Sequence, residues 1–176
     1  VVYHPFVPDL IFIGTSEGLY RSEDNLQTWT NLLNSPGRIT DIAFHPTNSD
    51  IVYLYDDYYW GANQNVVLRS IDMGLSFSPS DTISGNNNAR GYLSVSTDCP
   101  NCLYFASTNG IWKSIDDGLT YTFLNNPPQS CLGFAVNDLD TSAMIYGYVD
   151  IEASLDGGQT FNQITWWSLG HSMHGS

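Results

Sequence analysis

An eight-residue pattern recurs four times along the chain, and it constrains the fold more than any other feature. It reads Ser-x-Asp-x-Gly-x-(Thr/Ser)-aromatic and occupies residues 22–29, 70–77, 114–121 and 154–161. Successive copies lie 48, 44 and 40 residues apart. A single match would carry little weight, but four in register specify a repeat architecture built from one supersecondary unit. The members are Ser22, Asp24 and Trp29; Ser70, Asp72, Gly74 and Phe77; Ser114, Asp116, Gly118 and Tyr121; and Ser154, Asp156, Gly158 and Phe161. In the first copy Leu26 stands where the others have glycine. That substitution predicts a wider turn there, with Asn25 in the left-handed conformation.

Each position has a folding role. The aspartate can accept hydrogen bonds from several N–H groups of a turn. Glycine supplies a positive φ that other residues adopt only at a cost. The Ser and Thr hydroxyls tie the two ends of a hairpin together. The aromatic ring can fill the gap between adjacent sheets, burying roughly 150–250 Å². The four aspartates are therefore expected to be structural. The adjacent glycines Gly157 and Gly158 are not expected to cradle phosphate, because such a loop opens a helix and this turn joins two strands.

The flanks repeat as well. Before each box comes a strand ending in a turn (residues 2–9, 42–50, 93–101 and 134–141), then a short second strand (10–13, 51–55, 103–105 and 144–146). A third strand enters the box and a fourth leaves it at the aromatic. Four short strands per 40–48 residues is the size of one propeller blade. The predicted fold is all-β: a β-propeller of four-stranded antiparallel blades, about four of them present. The blades are placed at about 1–35, 36–81, 82–126 and 127–165, with the start of a further blade at 166–176. Because the chain opens and closes inside blades and begins at Val1 rather than Met, it is expected to be part of a larger ring with an N-terminal segment missing or removed.

Composition agrees. Of 18 acidic residues 15 are Asp, Lys113 is the single lysine, and turn formers outnumber helix formers. A net charge of −13 argues against nucleic-acid partners, which require Lys/Arg clusters. No window of about 20 apolar residues exists, so no membrane span is expected.

Cys99 and Cys102 flank a turn without a second ligand pair for zinc and without the following helix of a thioredoxin motif. A small disulfide is favoured over free thiols, and it would imply an oxidising, extracellular or cell-surface setting. Cys131 is expected to be a buried small hydrophobe. None of the 15 asparagines begins a glycosylation sequon, which tilts the source towards a prokaryote.

The repeated octapeptide resembles the Asp-box, or BNR, repeat of β-propellers. Sialidases, family 74 xyloglucanases, sortilin/Vps10 receptors and many secreted bacterial propellers carry it. The resemblance covers essentially the whole chain and implies a six- to ten-bladed ring, whose remaining blades would come from this or another chain. In such a ring the innermost strands line a channel. The loops entering them, and those joining second and third strands, share one face, with the boxes at the opposite side.

The candidate binding residues therefore lie in the channel-face loops. Asp56, Asp57, Tyr58, Tyr59 and Trp60 begin the longest insertion between a second and a third strand. Arg90, Trp166, Trp167 and His171 belong to loops entering innermost strands. Exposed aromatics beside Asn and Asp suit sugar stacking and hydrogen bonding; the competing reading packs these tryptophans between blades. Asp56 and Asp57 are also a candidate Ca²⁺ site, without EF-hand spacing. No other cofactor and no metal site is expected: His171 and His174, three apart, do not share one face of a strand.

The leading functional expectation is a secreted or surface propeller that binds a protein or glycan. The first alternative is a glycoside hydrolase resembling family 74 xyloglucanases. An inverting enzyme would need two carboxylates about 6.5–9.5 Å apart. Asp41, Asp56, Asp57 and Asp150 are available, none in a recognised motif, so no catalytic residue is assigned. A sialidase would need three free arginines, and Arg21 and Arg69 immediately precede boxes, leaving Arg38 and Arg90. A photosystem-assembly propeller would be expected to carry an Arg-rich patch, which is missing. A second alternative is a structural subunit of an extracellular filament or surface layer.

Overall fold

The computed structural model describes residues 1–33, 38–59, 64–80, 90–126 and 131–165. Sixteen strands form four sheets, each a four-stranded antiparallel meander in chain order. The first holds β1 (Val2–Tyr3), β2 (Ile11–Thr15), β3 (Gly18–Ser22) and β4 (Thr30–Leu33). The second holds β5 (Ile39–Phe44), β6 (Val52–Tyr59), β7 (Gln64–Ser70) and β8 (Ser78–Pro79). The third holds β9 (Gly91–Val95), β10 (Leu103–Ser107), β11 (Gly110–Ser114) and β12 (Thr122–Asn125). The fourth holds β13 (Gly133–Asn137), β14 (Asp140–Gly147), β15 (Ile151–Ser154) and β16 (Asn162–Gln163). None of the described residues is helical, and no helix long and apolar enough to cross a membrane occurs among them.

The sheets stack face against face. Each presents a leading face to the sheet before it and a trailing face to the sheet after it, because alternate residues of a strand point to opposite sides. Leu10, Phe12 and Leu19 on the trailing face of blade 1 meet Leu54, Val66 and Leu68 of blade 2. Tyr53, Tyr55 and Val67 meet Leu93, Leu103 and Phe105 of blade 3. Tyr104 and Ala106 meet Val136, Met144 and Tyr146 of blade 4. Burying a side chain of this size contributes about 1.5–3 kcal/mol, so the joints between blades form the core.

The repeated turn has one geometry in all four copies. The serine hydroxyl donates to its aspartate at 2.7–2.9 Å. The same serine oxygen accepts the N–H of Leu26, Gly74, Gly118 or Gly158 at 2.8–3.0 Å. The aspartate's second oxygen accepts the hydroxyl of Thr28, Ser76, Thr120 or Thr160 at 2.6 Å. Two successive residues have positive φ: Asn25 and Leu26, Met73 and Gly74, Asp117 and Gly118, Gly157 and Gly158. Positive φ at both central residues is what a type I′ hairpin turn requires.

The turn at Leu26 is therefore not widened. Leu26 itself takes φ 74° and makes the same bond to its serine as the glycines do. The hydrogen bonds of Ser22 and Asp24 to the turn, the Thr28 N–H to Asp24 at 2.8 Å included, outweigh the local steric preference of leucine, worth about 1–2 kcal/mol. Trp29 also departs from expectation. Phe77, Tyr121 and Phe161 pack into the joint with the preceding blade, whereas Trp29 remains 36% exposed because no described sheet lies on that side.

The box turn is also stitched to its own blade, at the turn between the first two strands in blades 1 to 3 and at the start of β14 in blade 4. Asn25 N–H donates to the Asp9 carbonyl, Met73 to Asp50, Asp117 to Asn101 and Gly157 to Ser142, all at 2.9–3.3 Å. Both turns thus close the same end of each sheet. Cys99 and Cys102, in the third such turn, are joined by a disulfide.

Candidate functional site at the end opposite the box turns

The end of the sheets away from the boxes carries the starts of β5 and β9 and the hairpin between β6 and β7. A cavity of about 310 Å³ opens there, lined by Arg38, Thr40, Arg90, Gly91 and Tyr92. Arg38 and Arg90 each sit one residue before the first strand of a blade, so the chain delivers both guanidinium groups to this rim. Gly91 is dictated by packing: a Cβ there would meet the rings of Phe105 and Tyr55 at 2.4 and 2.5 Å. β9 can pass beside those rings only with glycine at that position.

Arg38 is held by Asp57. Its Nε and Nη2 donate to the two carboxylate oxygens at 3.2 and 2.8 Å, and the Asp57 N–H donates back to the Arg38 carbonyl at 3.1 Å. The carboxylate is fully buried while the guanidinium is half exposed. This fork geometry fixes the guanidinium plane and leaves part of it at the rim. Burial pushes the Tyr92 phenol above its usual range, and the positive charge of Arg90 works against that shift.

The carboxylates proposed from the sequence go to other uses. Asp56 and Asp57 lie within strand β6, not in a loop, and both are fully buried. The expected insertion is an extension of the β6–β7 hairpin. Asp56 pairs in register with Ile39 and Val66. A Ca²⁺ ion at this pair would have to displace the Arg38 guanidinium from Asp57, so the two residues do not present a free cation site. Asp41 accepts the backbone N–H of Leu93 at 2.7 Å and of Ile42 at 2.9 Å, tying the first strands of blades 2 and 3 together. Burial raises its carboxyl above the usual range. Asp150 accepts from the Thr165 hydroxyl at 3.4 Å at the same end of blade 4.

Tyr58 and Tyr59 belong to β6, but their side chains lie outside the described residues. Trp60, Trp166, Trp167, His171 and His174 also lie outside them. Of the candidates, the structure places Arg90 on the cavity and Asp57 directly behind it. Sequence reasoning missed Arg38, Thr40 and Tyr92. A signal for Arg38 existed, since it and Arg90 are the two arginines that do not precede a box. Among the described residues no group of three His, Cys, Asp or Glu side chains is arranged to hold a metal ion.

Two planar guanidinium groups, a phenol and a hydroxyl can donate hydrogen bonds to a ligand rich in hydroxyl oxygens and offer flat faces for stacking. Among the described residues the lining carries no carboxylate or imidazole.

No family model matches the sequence. Curated relatives do. A probable oligoxyloglucan-reducing end-specific xyloglucanase of Neosartorya fischeri is 27% identical over 93% of this chain and 23% of its own length. A xyloglucanase of Hypocrea jecorina is 26% identical over 91% of this chain and 22% of its own length. The chain thus spans less than a quarter of these two relatives. Among solved structures, the GH74 enzyme of Niastella koreensis superposes with a TM-score of 0.71 at 23% identity, over 93% of this chain and 29% of that one. The GH74 xyloglucanase of Xanthomonas campestris gives 0.72 at 22% identity, over 93% of this chain and 30% of that one. YCF48 from Cyanidioschyzon merolae gives 0.58 at 16% identity, over 79% of this chain and 42% of that one. The four sheets are blades of a β-propeller of the kind seen in the GH74 enzymes.

Proposed function

We propose that this chain contributes four blades to a propeller that acts on xyloglucan-type β-glucans. The observation that carries the reading is that curated xyloglucanases match more than nine-tenths of the chain. It puts the glycoside hydrolase reading ahead of the scaffold that binds a protein or glycan. The cavity at Arg38, Thr40, Arg90 and Tyr92 then forms one wall of a glycan cleft, with guanidinium and phenol groups donating to sugar hydroxyls. These residues serve substrate binding, their guanidinium, phenol and hydroxyl groups being hydrogen-bond donors. We read the repeated turn as an Asp-box and, on the strength of the Cys99–Cys102 disulfide, place the protein outside the cytoplasm.

Isothermal titration with xyloglucan oligosaccharides tests the reading, alongside reducing-sugar release from the polymer. Binding weakened about tenfold by Arg90→Ala, with the thermal unfolding midpoint unchanged, supports it. Binding indifferent to Arg90→Ala, or no binding at all, refutes it. A glycan-binding propeller without hydrolytic activity is the second reading, favoured by the donor groups of Arg38, Arg90 and Tyr92 in the lining; binding without product release would select it.

A further inference from the structure

Lys and Arg together number only five in this chain, against 18 acidic residues, so the place of each cation carries information. Three of them serve the blades. Arg21, Arg69 and Lys113 stand immediately before the box serines of blades 1, 2 and 3. Each is cross-strand from an aromatic residue: Phe12, Tyr53 and Tyr104 in turn. Arg21 lies 5.8 Å over the Phe12 ring and Lys113 5.3 Å over the Tyr104 ring. The other two cations, Arg38 and Arg90, both line the cavity of about 310 Å³.

The fold does not require a cation where these two stand. Arg38 and Arg90 come one residue before β5 and β9, and the same position is Val1 before β1 and Leu132 before β13. All four side chains are exposed. Equivalent backbone positions therefore accept an aliphatic group in blades 1 and 4, while adjacent blades 2 and 3 bring two guanidinium groups to one cavity.

Arg38 is also fixed in its pose. The fork to the buried Asp57 carboxylate uses Nε and Nη2, so the edge carrying Nη1 faces away from Asp57. A guanidinium donates up to five hydrogen bonds and accepts none, whereas a sugar hydroxyl both donates and accepts. The group that matches a donor-only fork is acceptor-only and planar: a carboxylate. Thr40 and Tyr92 add hydroxyl donors beside the two forks. The net charge of −13 opposes a polyanion. A single carboxylate inside the cavity responds mainly to the groups around it, because exposed charges beyond about 8 Å are screened in physiological salt.

We infer that the cavity receives a carboxylate: its ligand is an otherwise neutral glycan chain bearing a uronic acid, with the carboxylate held between the Arg38 and Arg90 guanidinium groups. The inference rests on the glycan reading of this cavity and narrows it to acidic glycans.

The test is isothermal titration with a galactosylated xyloglucan oligosaccharide and with the same oligosaccharide oxidised at galactose C6 to the carboxylate. The oxidised form should bind at least tenfold more tightly than its parent, and the gap should narrow as sodium chloride rises from about 50 to about 500 mM. Arg90→Gln, which keeps hydrogen-bonding groups for a neutral sugar, should abolish the gap with the thermal unfolding midpoint unchanged. Sodium glucuronate and glucose, compared through the NMR signals of the arginine Nε–H groups, remove any dependence on where the carboxylate sits along the chain. Signals that move with glucuronate and not with glucose are expected. Equal binding of the two oligosaccharides together with equal responses to the two monosaccharides overturns this inference and leaves the glycan reading standing. A gap that survives Arg90→Gln overturns it as well. No binding of either oligosaccharide and no response to glucuronate overturns both.

Discussion

Two glycines with nearly the same backbone conformation should respond very differently to alanine. Gly74 and Gly157 have φ of 76° and 73°. A Cβ on Gly157 has no neighbour within 4 Å, so Gly157→Ala costs only the left-handed conformation, about 1 kcal/mol. A Cβ on Gly74 would lie 2.6 Å from Phe12 Cε1 and 2.8 Å from Cζ. The Phe12 ring has no room to retreat: it is fully buried, with Phe44 at 5.8 Å and the Arg21 guanidinium over its face. Overpacking of this kind adds about 1–3 kcal/mol, so Gly74→Ala should cost about 2–4 kcal/mol in total. Urea unfolding followed by aromatic fluorescence measures both variants. At about 2–4 °C per kcal/mol for a chain of this size, thermal melts should separate them as well. Equal losses would refute the claim that this glycine exists for the approach of the neighbouring blade.

Arg38→Met leaves the Asp57 carboxylate buried without its partner, and a loss of about 3 kcal/mol is expected in urea unfolding; an unchanged midpoint would show that water replaces the guanidinium. The Asp72, Asp116 and Asp156 carboxyls are held at about 2, below their ordinary 3.8, chiefly by hydroxyl and N–H donors of the turn. Their stabilisation is full above about pH 4 and fades as pH falls towards 2, so Asp116→Asn should flatten the fall in urea midpoint between pH 4 and pH 2. Cys131 is 2% exposed and burial pushes its thiol up to about 12, so iodoacetamide at pH 8 should label it only after unfolding.

The blades were legible because their signals are local. An aspartate, a glycine two residues on and an aromatic three further fix one hairpin, and four copies fix four sheets. Leu26 was misread because propensity is a one-residue argument, whereas Ser22 and Asp24 supply several bonds that hold the turn regardless. Asp56 and Asp57 were misread for a related reason. Adjacent carboxylates signal a solvated loop until a partner is found, and the partner Arg38 lies 19 residues earlier, across a strand pairing that no local pattern reveals. The contacts of His4 with the Ser49 carbonyl, His45 with Asp117 and Ser96 with the Asp138 carbonyl, each joining one blade to the next, were invisible because the three side chains share a place but not a residue type.

The stitching of box turn to neighbouring turn has a bearing on how such a chain can be rebuilt. The stitch holds together one end of each sheet, where the box hairpin meets the connection between the first two strands. The other end lacks this stitch among the described residues, and its hairpins already differ: Thr15 and Gly18 close tightly, whereas β6 and β7 run on to Tyr59 and Gln64. A blade should therefore accept a longer or wholly foreign hairpin there, much as a socket accepts interchangeable tools, without loosening its seat between its neighbours.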